Sequence, residues 1–269
     1  MNRSQLIATI RAKKSLLCVG LDTDPEALPT HLSGTPDAVF EFNRQIIDAT
    51  REFAVSYKLN TAFYEAQGLA GWEALEKTRQ YIGADCLTIA DAKRGDIGNT
   101  ARQYAKTFFE TYPFDAVTIA PYMGEDSVAP FLEHSGKWGI VLGLTSNVGS
   151  ADFQQLTAET GERVFEHVLR KTASWGSPEN LMFVVGATQP QGLAQIRKML
   201  PNHFFLVPGV GAQGGEVPSV CAAGCNADGG LLINVSRGIC SLSKGADFAD
   251  KAHQAAKDYQ RQMEVALAG

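Results

Sequence analysis

The residues best placed to do chemistry are packed into Asp91-Ala92-Lys93-Arg94-Gly95-Asp96, directly after the apolar run Leu87–Ala90. Asp91 and Lys93 are two apart, so on an extended strand their side chains leave the same face. Burying a carboxylate beside an ammonium at the mouth of a strand costs several kcal/mol, roughly, unless the charges pair. Such a pair can be a structural closure of the strand, or it can hold charges ready to act on a substrate. Lysines braced by carboxylates stay protonated, because an opposite charge favours the ionised form. A lysine held this way suits proton donation and electrostatic stabilisation of a carbanion better than Schiff-base attack.

The elements around this segment decide between the two readings. Apolar runs predict strands at Ser15–Leu21, Val55–Leu59, Cys86–Ala90, Asp115–Ile119, Gly139–Leu144, Leu181–Val185, Phe204–Val207 and Gly230–Asn234. Helical spacing follows each of them, over Pro36–Phe53 (capped by Thr35), Phe63–Ile82 (weak at Gly68 and Gly71), Asn99–Tyr112, Glu125–His134, Gly161–Ala173, Gln191–Leu200, Pro218–Ala223 and Asp247–Leu267. A further helix, Ser4–Lys13, precedes the first strand. Regular βα alternation argues for a parallel sheet, and eight units in about 250 residues suit a (β/α)8 TIM barrel. The expectation is therefore an α/β protein, one barrel domain over residues 1–269 with an N-terminal helix. An open doubly wound sheet is disfavoured, since the first βα turn, Asp22-Thr23-Asp24-Pro25, lacks the dinucleotide glycine fingerprint.

In such a barrel the active site lies at the C-terminal ends of the strands. Asp22 falls there on strand one, Lys58 on strand two and Asp91 with Lys93 on strand three, while Ser146 and Asn147 follow strand five. Scattered surface charges have no reason to choose one end, so this convergence favours function over structural closure. The loops after strands seven and eight commonly form a phosphate site. Here the first is Pro208-Gly209-Val210-Gly211-Ala212-Gln213-Gly214-Gly215, whose backbone N–H groups can approach an anion, and Gln213 adds an amide. Arg237 after strand eight supplies a planar guanidinium suited to phosphate. The combination points to an enzyme acting on a phosphorylated small molecule.

Composition removes several classes. Net charge is −5 with no long basic block, which argues against nucleic-acid wrapping. The five cysteines are odd in number and sit in apolar surroundings, as reduced thiols of a cytoplasmic protein would. Met1–Lys14 has no apolar signal core, and no run of 18 apolar residues occurs, so neither secretion nor membrane association is expected. None of the five histidines falls at a strand's C-terminal end, so no metal site is expected, and neither a P-loop nor a hydrolase elbow is present.

Asp91-Ala92-Lys93-Arg94-Gly95-Asp96-Ile97-Gly98 resembles the D-x-K-x-x-D signature of the orotidine 5′-phosphate decarboxylase family. Val19-Gly20-Leu21-Asp22, Tyr57-Lys58, Thr145-Ser146-Asn147, the strand-seven glycine loop and Ser236-Arg237-Gly238 extend the likeness over nearly the whole chain. Its length and the DAKRGDIG form are similar to those of the longer bacterial subgroup. The resemblance implies decarboxylation of orotidine 5′-monophosphate to UMP and CO2, the last step of de novo pyrimidine biosynthesis, without metal or cofactor. It implies Lys93 as proton donor to C6, Asp91 beside the departing carboxylate, and Lys58 bracing Asp91 while binding ribose with Asp22. Ser146 would bond the pyrimidine, and Gln213 and Arg237 the phosphate, Gln213 on a loop that closes over substrate. Asp96, with Ile97 and Thr100, would reach the partner subunit's site, which implies a homodimer. Two readings compete: a Mg-dependent sugar-phosphate decarboxylase or synthase of the same suprafamily, and a non-catalytic nucleotide-binding barrel. Lys58, standing where the former would place an acidic group near its metal, argues against it. The full set of charged positions argues against the latter.

Overall fold

The computed structural model describes residues 1–187, 190–211 and 214–268. Its centre is a closed barrel of eight strands: β1 (Leu17–Gly20), β2 (Ser56–Asn60), β3 (Leu87–Arg94), β4 (Ala116–Ile119), β5 (Trp138–Leu144), β6 (Leu181–Val185), β7 (Phe205–Pro208) and β8 (Leu231–Val235). Each pairs in parallel with the next, and β1 closes on β8 with Leu17 opposite Ile233 and Val19 opposite Val235. The strands are nearly continuous apolar runs because both faces are covered, one by the barrel interior and one by the helical layer. Leu-Met-Phe-Val-Val of β6 and Leu-Leu-Ile-Asn-Val of β8 are buried throughout.

The outer layer comprises α1 (Arg3–Lys13), α2 (Ala38–Thr50), α3 (Thr61–Glu65), α4 (Gly68–Ile82), α5 (Gly98–Lys106), α6 (Ala129–Leu132), α7 (Val164–Ala173), α8 (Pro190–Met199), α9 (Val217–Gly224), α10 (Arg237–Cys240) and α11 (Phe248–Ala268). In α2 the residues Val39, Phe42, Ile46 and Ile47 turn inward, the stripe that the helical spacing predicts. At the N-terminal end of the barrel the buried Arg197 donates to the carbonyls of Gly224, Leu200, Pro201, His203 and Gly230 and lies 3.8 Å over the Phe205 ring. One guanidinium thereby ties α8 and α9 to the entries of β7 and β8.

Several boundaries differ from expectation for definable reasons. The helix expected over Pro36–Phe53 starts at Ala38 behind Asp37, which is left-handed (φ 57°), and Thr35 bonds Leu32 O instead of capping it. The Phe63–Ile82 helix breaks into α3 and α4 because Gly68 adopts φ +64°, a conformation that glycine tolerates at little cost. Asn99–Tyr112 is α5 from Gly98, continued by a wide π turn over Thr107–Thr111. The segment after Gly161 first turns helical at Val164, where the Arg163 N–H donates to Glu166. Strand β3 runs on to Arg94, so the charged residues belong to the strand and not to the loop behind it.

Gly71 allows α3 and α4 to meet: a Cβ there would lie 1.8 Å from the Tyr64 carbonyl oxygen. Gly71→Ala should therefore cost about 1–3 kcal/mol in urea unfolding, as overpacked cores do. A variant as stable as wild type would contradict this close approach.

Candidate active site

The C-terminal mouth of the barrel holds a cavity of about 580 Å³. Asp22, Lys58, Asp91, Lys93, Ser146 and Arg237 all line it, together with Asn147, Asn234 and Ser236. The charged residues form one chain of contacts. Lys58 Nζ, almost fully buried, donates to Asp22 Oδ1 at 3.1 Å and to Asp91 Oδ2 at 2.9 Å. Lys93 Nζ donates to Asp91 Oδ1 at 2.7 Å, with its side chain half exposed toward the cavity. Asp91 thus accepts an ammonium on each oxygen.

These pairings fix the charge states. Burial works against the Lys58 ammonium, yet Asp91 and then Asp22 outweigh it and raise its pKa. Burial likewise opposes the Asp91 carboxylate, but Lys58 and Lys93 hold its pKa well below the usual range. Asp91 therefore stabilises the fold above the ordinary carboxylate range, a contribution lost as pH falls through its folded value. Lys58 contributes below the ordinary lysine range, and its share is lost as pH rises through its own raised value.

The expected face-sharing of Asp91 and Lys93 arises by a different route from the extended strand assumed above. Ala90 pairs with Val117 and Arg94 with Ile119, so Asp91, Ala92 and Lys93 together stand opposite the single residue Thr118. Lys93 takes φ 47°, left-handed for a residue with a Cβ. Beyond the bulge, Arg94 pairs with Glu65 of α3 and lies over the Tyr104 and Phe108 rings at 5.3 and 5.4 Å.

Other expected residues fall differently. Asp96 accepts the N–H of Ile97 at 2.7 Å, and Ile97 and Thr100 are exposed; none of the three lines the cavity of this chain. Gln213 lies outside the described residues. In the glycine loop, Gly211 N–H bonds Gly215 O, Gly214 N–H bonds Gly211 O and Gly215 N–H bonds Gly209 O. Those three amides serve the turn itself, while Gly209 and Val210 line the cavity. Among the described residues, the Arg237 side chain makes no hydrogen bond or ion pair, so its exposed guanidinium is open to an anion. Also among the described residues, no three His, Cys, Asp or Glu side chains group as ligands of a metal ion, and Lys58 fills the space between Asp22 and Asp91.

Residues 15–252 match the family described as orotidine 5′-phosphate decarboxylase / HUMPS. The chain belongs to this family. It is 54% identical over 266 residues to an orotidine 5′-phosphate decarboxylase of Bacteroides fragilis, covering 98% of this chain and 97% of that one. Identity to the orotidine 5′-phosphate decarboxylase of Phocaeicola vulgatus is 55% over 267 residues, covering 98% of each. Among solved structures, the OMP decarboxylase of Leishmania donovani superposes with a TM-score of 0.86 at 38% identity, covering each chain in full.

Three groups that hold this site were not singled out in the sequence. Thr118 of β4 bonds both Asp91 and the Lys93 backbone. Asn43 of α2 accepts from Thr23 at 2.6 Å and donates to Tyr64 and Thr78 at 3.0 Å, while the Tyr64 hydroxyl donates to Leu21 O. Asp22 is thereby pinned on both sides along the backbone. Gly186 lies so close under the strand-five loop that a Cβ would meet Ser146 N at 3.0 Å and Cα at 3.1 Å. Thr118 and Gly186 interrupt apolar strand sequence, and Asn43 interrupts the buried stripe of α2, the one signal that marks each.

Removing the Lys58 charge leaves Asp91 and Asp22 without their shared counter-ion. Lys58→Ala should lose about 3–5 kcal/mol of stability at neutral pH, measured by urea unfolding. The deficit should narrow in acid, where protonation relieves the unpaired carboxylates. Gly186→Ala, by lifting Ser146, should raise KM for the ligand of this cavity more than it lowers stability. An unchanged KM would show that the loop does not depend on that contact.

Proposed function

We propose that this chain converts orotidine 5′-monophosphate to UMP and CO2, the last step of de novo pyrimidine biosynthesis. The observation that carries this reading is the alternating chain Asp22–Lys58–Asp91–Lys93 at the mouth of the barrel. The family, and relatives of that name at more than half identity along nearly the whole chain, support it.

In this reading the bond from C6 to the carboxylate breaks, CO2 leaves, and the electron pair stays on C6. That sp² carbanion has no conjugated sink, so a fixed neighbouring ammonium is its evident stabiliser. Lys93 supplies both the field and the proton that C6 takes up, and its amine regains a proton from water. Asp91 lies beside the departing carboxylate and is held ionised by Lys58 and Lys93, the Lys58 contact persisting when Lys93 gives up its proton. Lys58 and Asp22 hold the ribose hydroxyls, Ser146 bonds the pyrimidine, and Arg237 with Gln213 grips the phosphate. Phosphate contacts remote from C6 contribute binding energy that is realised at the reacting centre.

Asp96, Ile97 and Thr100 do not line the cavity of their own chain, which fits a homodimer in which they complete the partner's site. We read residues 1–269 as one barrel domain working in the cytoplasm without cofactor. No helix among the described residues is long and apolar enough to cross a membrane. The Mg-dependent sugar-phosphate reading is disfavoured because Lys58 occupies the place between the two carboxylates where a cation would sit.

Loss of orotidine 5′-monophosphate absorbance in EDTA tests the proposal. Wild type should turn over at full rate, and Lys93→Ala should lose at least about 10²- to 10⁴-fold in kcat. An inactive wild type, or activity that EDTA abolishes, would overturn the assignment.

A further inference from the structure

Thr118 is the one residue of β4 that faces the three-residue bulge of β3, and it is fully buried in an otherwise apolar strand. Its hydroxyl accepts the Lys93 backbone N–H at 2.9 Å and donates to Asp91 Oδ1 at 3.0 Å. One oxygen atom therefore stands in for the ladder bond that the bulge removes and, at the same time, orients the carboxylate between the two lysines.

That combination has a consequence for Lys93. Its left-handed backbone is disfavoured for a residue bearing a Cβ and persists only where surrounding contacts hold it. Asp91 fixes the end of the Lys93 side chain, at 2.7 Å, and Thr118 fixes its root. Asp91 itself is held on Oδ2 by Lys58 and on Oδ1 by Lys93 and Thr118. Without the hydroxyl, the bulge loses its cross-strand tie and Oδ1 is left with the half-exposed Lys93 alone.

We infer that Thr118 is a positioning residue for the decarboxylation, setting the backbone conformation of Lys93 and the rotation of Asp91 without touching substrate. This rests on the proposal that Lys93 and Asp91 act at the reacting centre. A hydroxyl with this role affects the step in which charge develops and leaves ground-state binding of the nucleotide largely alone. The phosphate grip lies on the far strands β7 and β8 and has no bond to Thr118 among the described residues.

The test is steady-state kinetics of Thr118→Val and Thr118→Ser, beside Lys93→Ala and wild type, with UMP affinity measured for each. Valine keeps the shape and removes both bonds, whereas serine keeps the hydroxyl. Thr118→Val should lose about tenfold to a hundredfold in kcat, as small misplacements of reacting groups do. Its KM and UMP affinity should stay near wild type. Thr118→Ser should recover most of the lost kcat. Wild-type kcat in Thr118→Val beside an inactive Lys93→Ala would overturn the role of Thr118 and leave the reading of the site intact. Equal losses in the valine and serine variants, or a loss confined to KM, would also overturn it. An active Lys93→Ala would bring down the site reading itself, and this inference with it.

Discussion

The structure of the site depends on one buried ammonium. Lys58 rises from β2 into the barrel mouth with a carboxylate on either side, Asp22 from the turn just after β1 and Asp91 from β3. A single unpaired charge at that depth would be costly enough to neutralise itself, but the alternation of signs across adjacent strands removes the reason to do so. It also removes freedom. Asp91 cannot rotate without breaking a contact to Lys58, Lys93 or Thr118, and Lys58 cannot withdraw without stranding two carboxylates. The charged end of the cavity is therefore held by its own contacts before any ligand arrives, as electrostatic stabilisation by fixed charges requires.

Rigidity in the charged layer is reinforced from behind. Asn43, Tyr64, Thr23 and Thr78 make a buried polar network in which each donor of the Asn43 amide and its carbonyl oxygen find partners. Its effect is to hold the backbone around Asp22 at a fixed distance from α2 and α4. On the other flank, Arg94 anchors the end of β3 to α3 and to the aromatic face of α5. The barrel's chemistry and its packing are thus joined at two points where strands hand over to helices.

Much of this was legible in the residues. The eight apolar runs gave strands in the right order because a parallel barrel buries both strand faces, leaving unbroken hydrophobic stretches to read. Asp22, Lys58, Asp91, Lys93, Ser146 and Arg237 were placed at the right end by the rule of strand C-termini. The bulge was not legible. Nothing in Asp-Ala-Lys-Arg says that Lys93 turns left-handed, since that conformation is imposed by β4 across the sheet. Thr118 was missed for the same reason: a threonine in Ala-Val-Thr-Ile is an ordinary strand residue until its partner is known. The Gly68 break was visible as a weak point, yet the break itself follows from how α3 must fold back on α4.

The charged array and the anion grip also come from opposite ends of the chain. Asp22, Lys58, Asp91, Lys93 and Thr118 lie on or just after the first four strands, whereas Arg237 follows the last, and β1 meets β8 across more than two hundred residues of sequence. As the polypeptide leaves the ribosome, the pieces of the array are made early and near one another. Closure of the β1–β8 seam is the long-range event and waits for the final strand. Until then Lys58 and its carboxylates are bathed in water and carry no desolvation cost. Assembly of the charged array and completion of the fold are for this reason a single event, and a half-synthesised chain holds every charge of the array without the environment that gives those charges their strength.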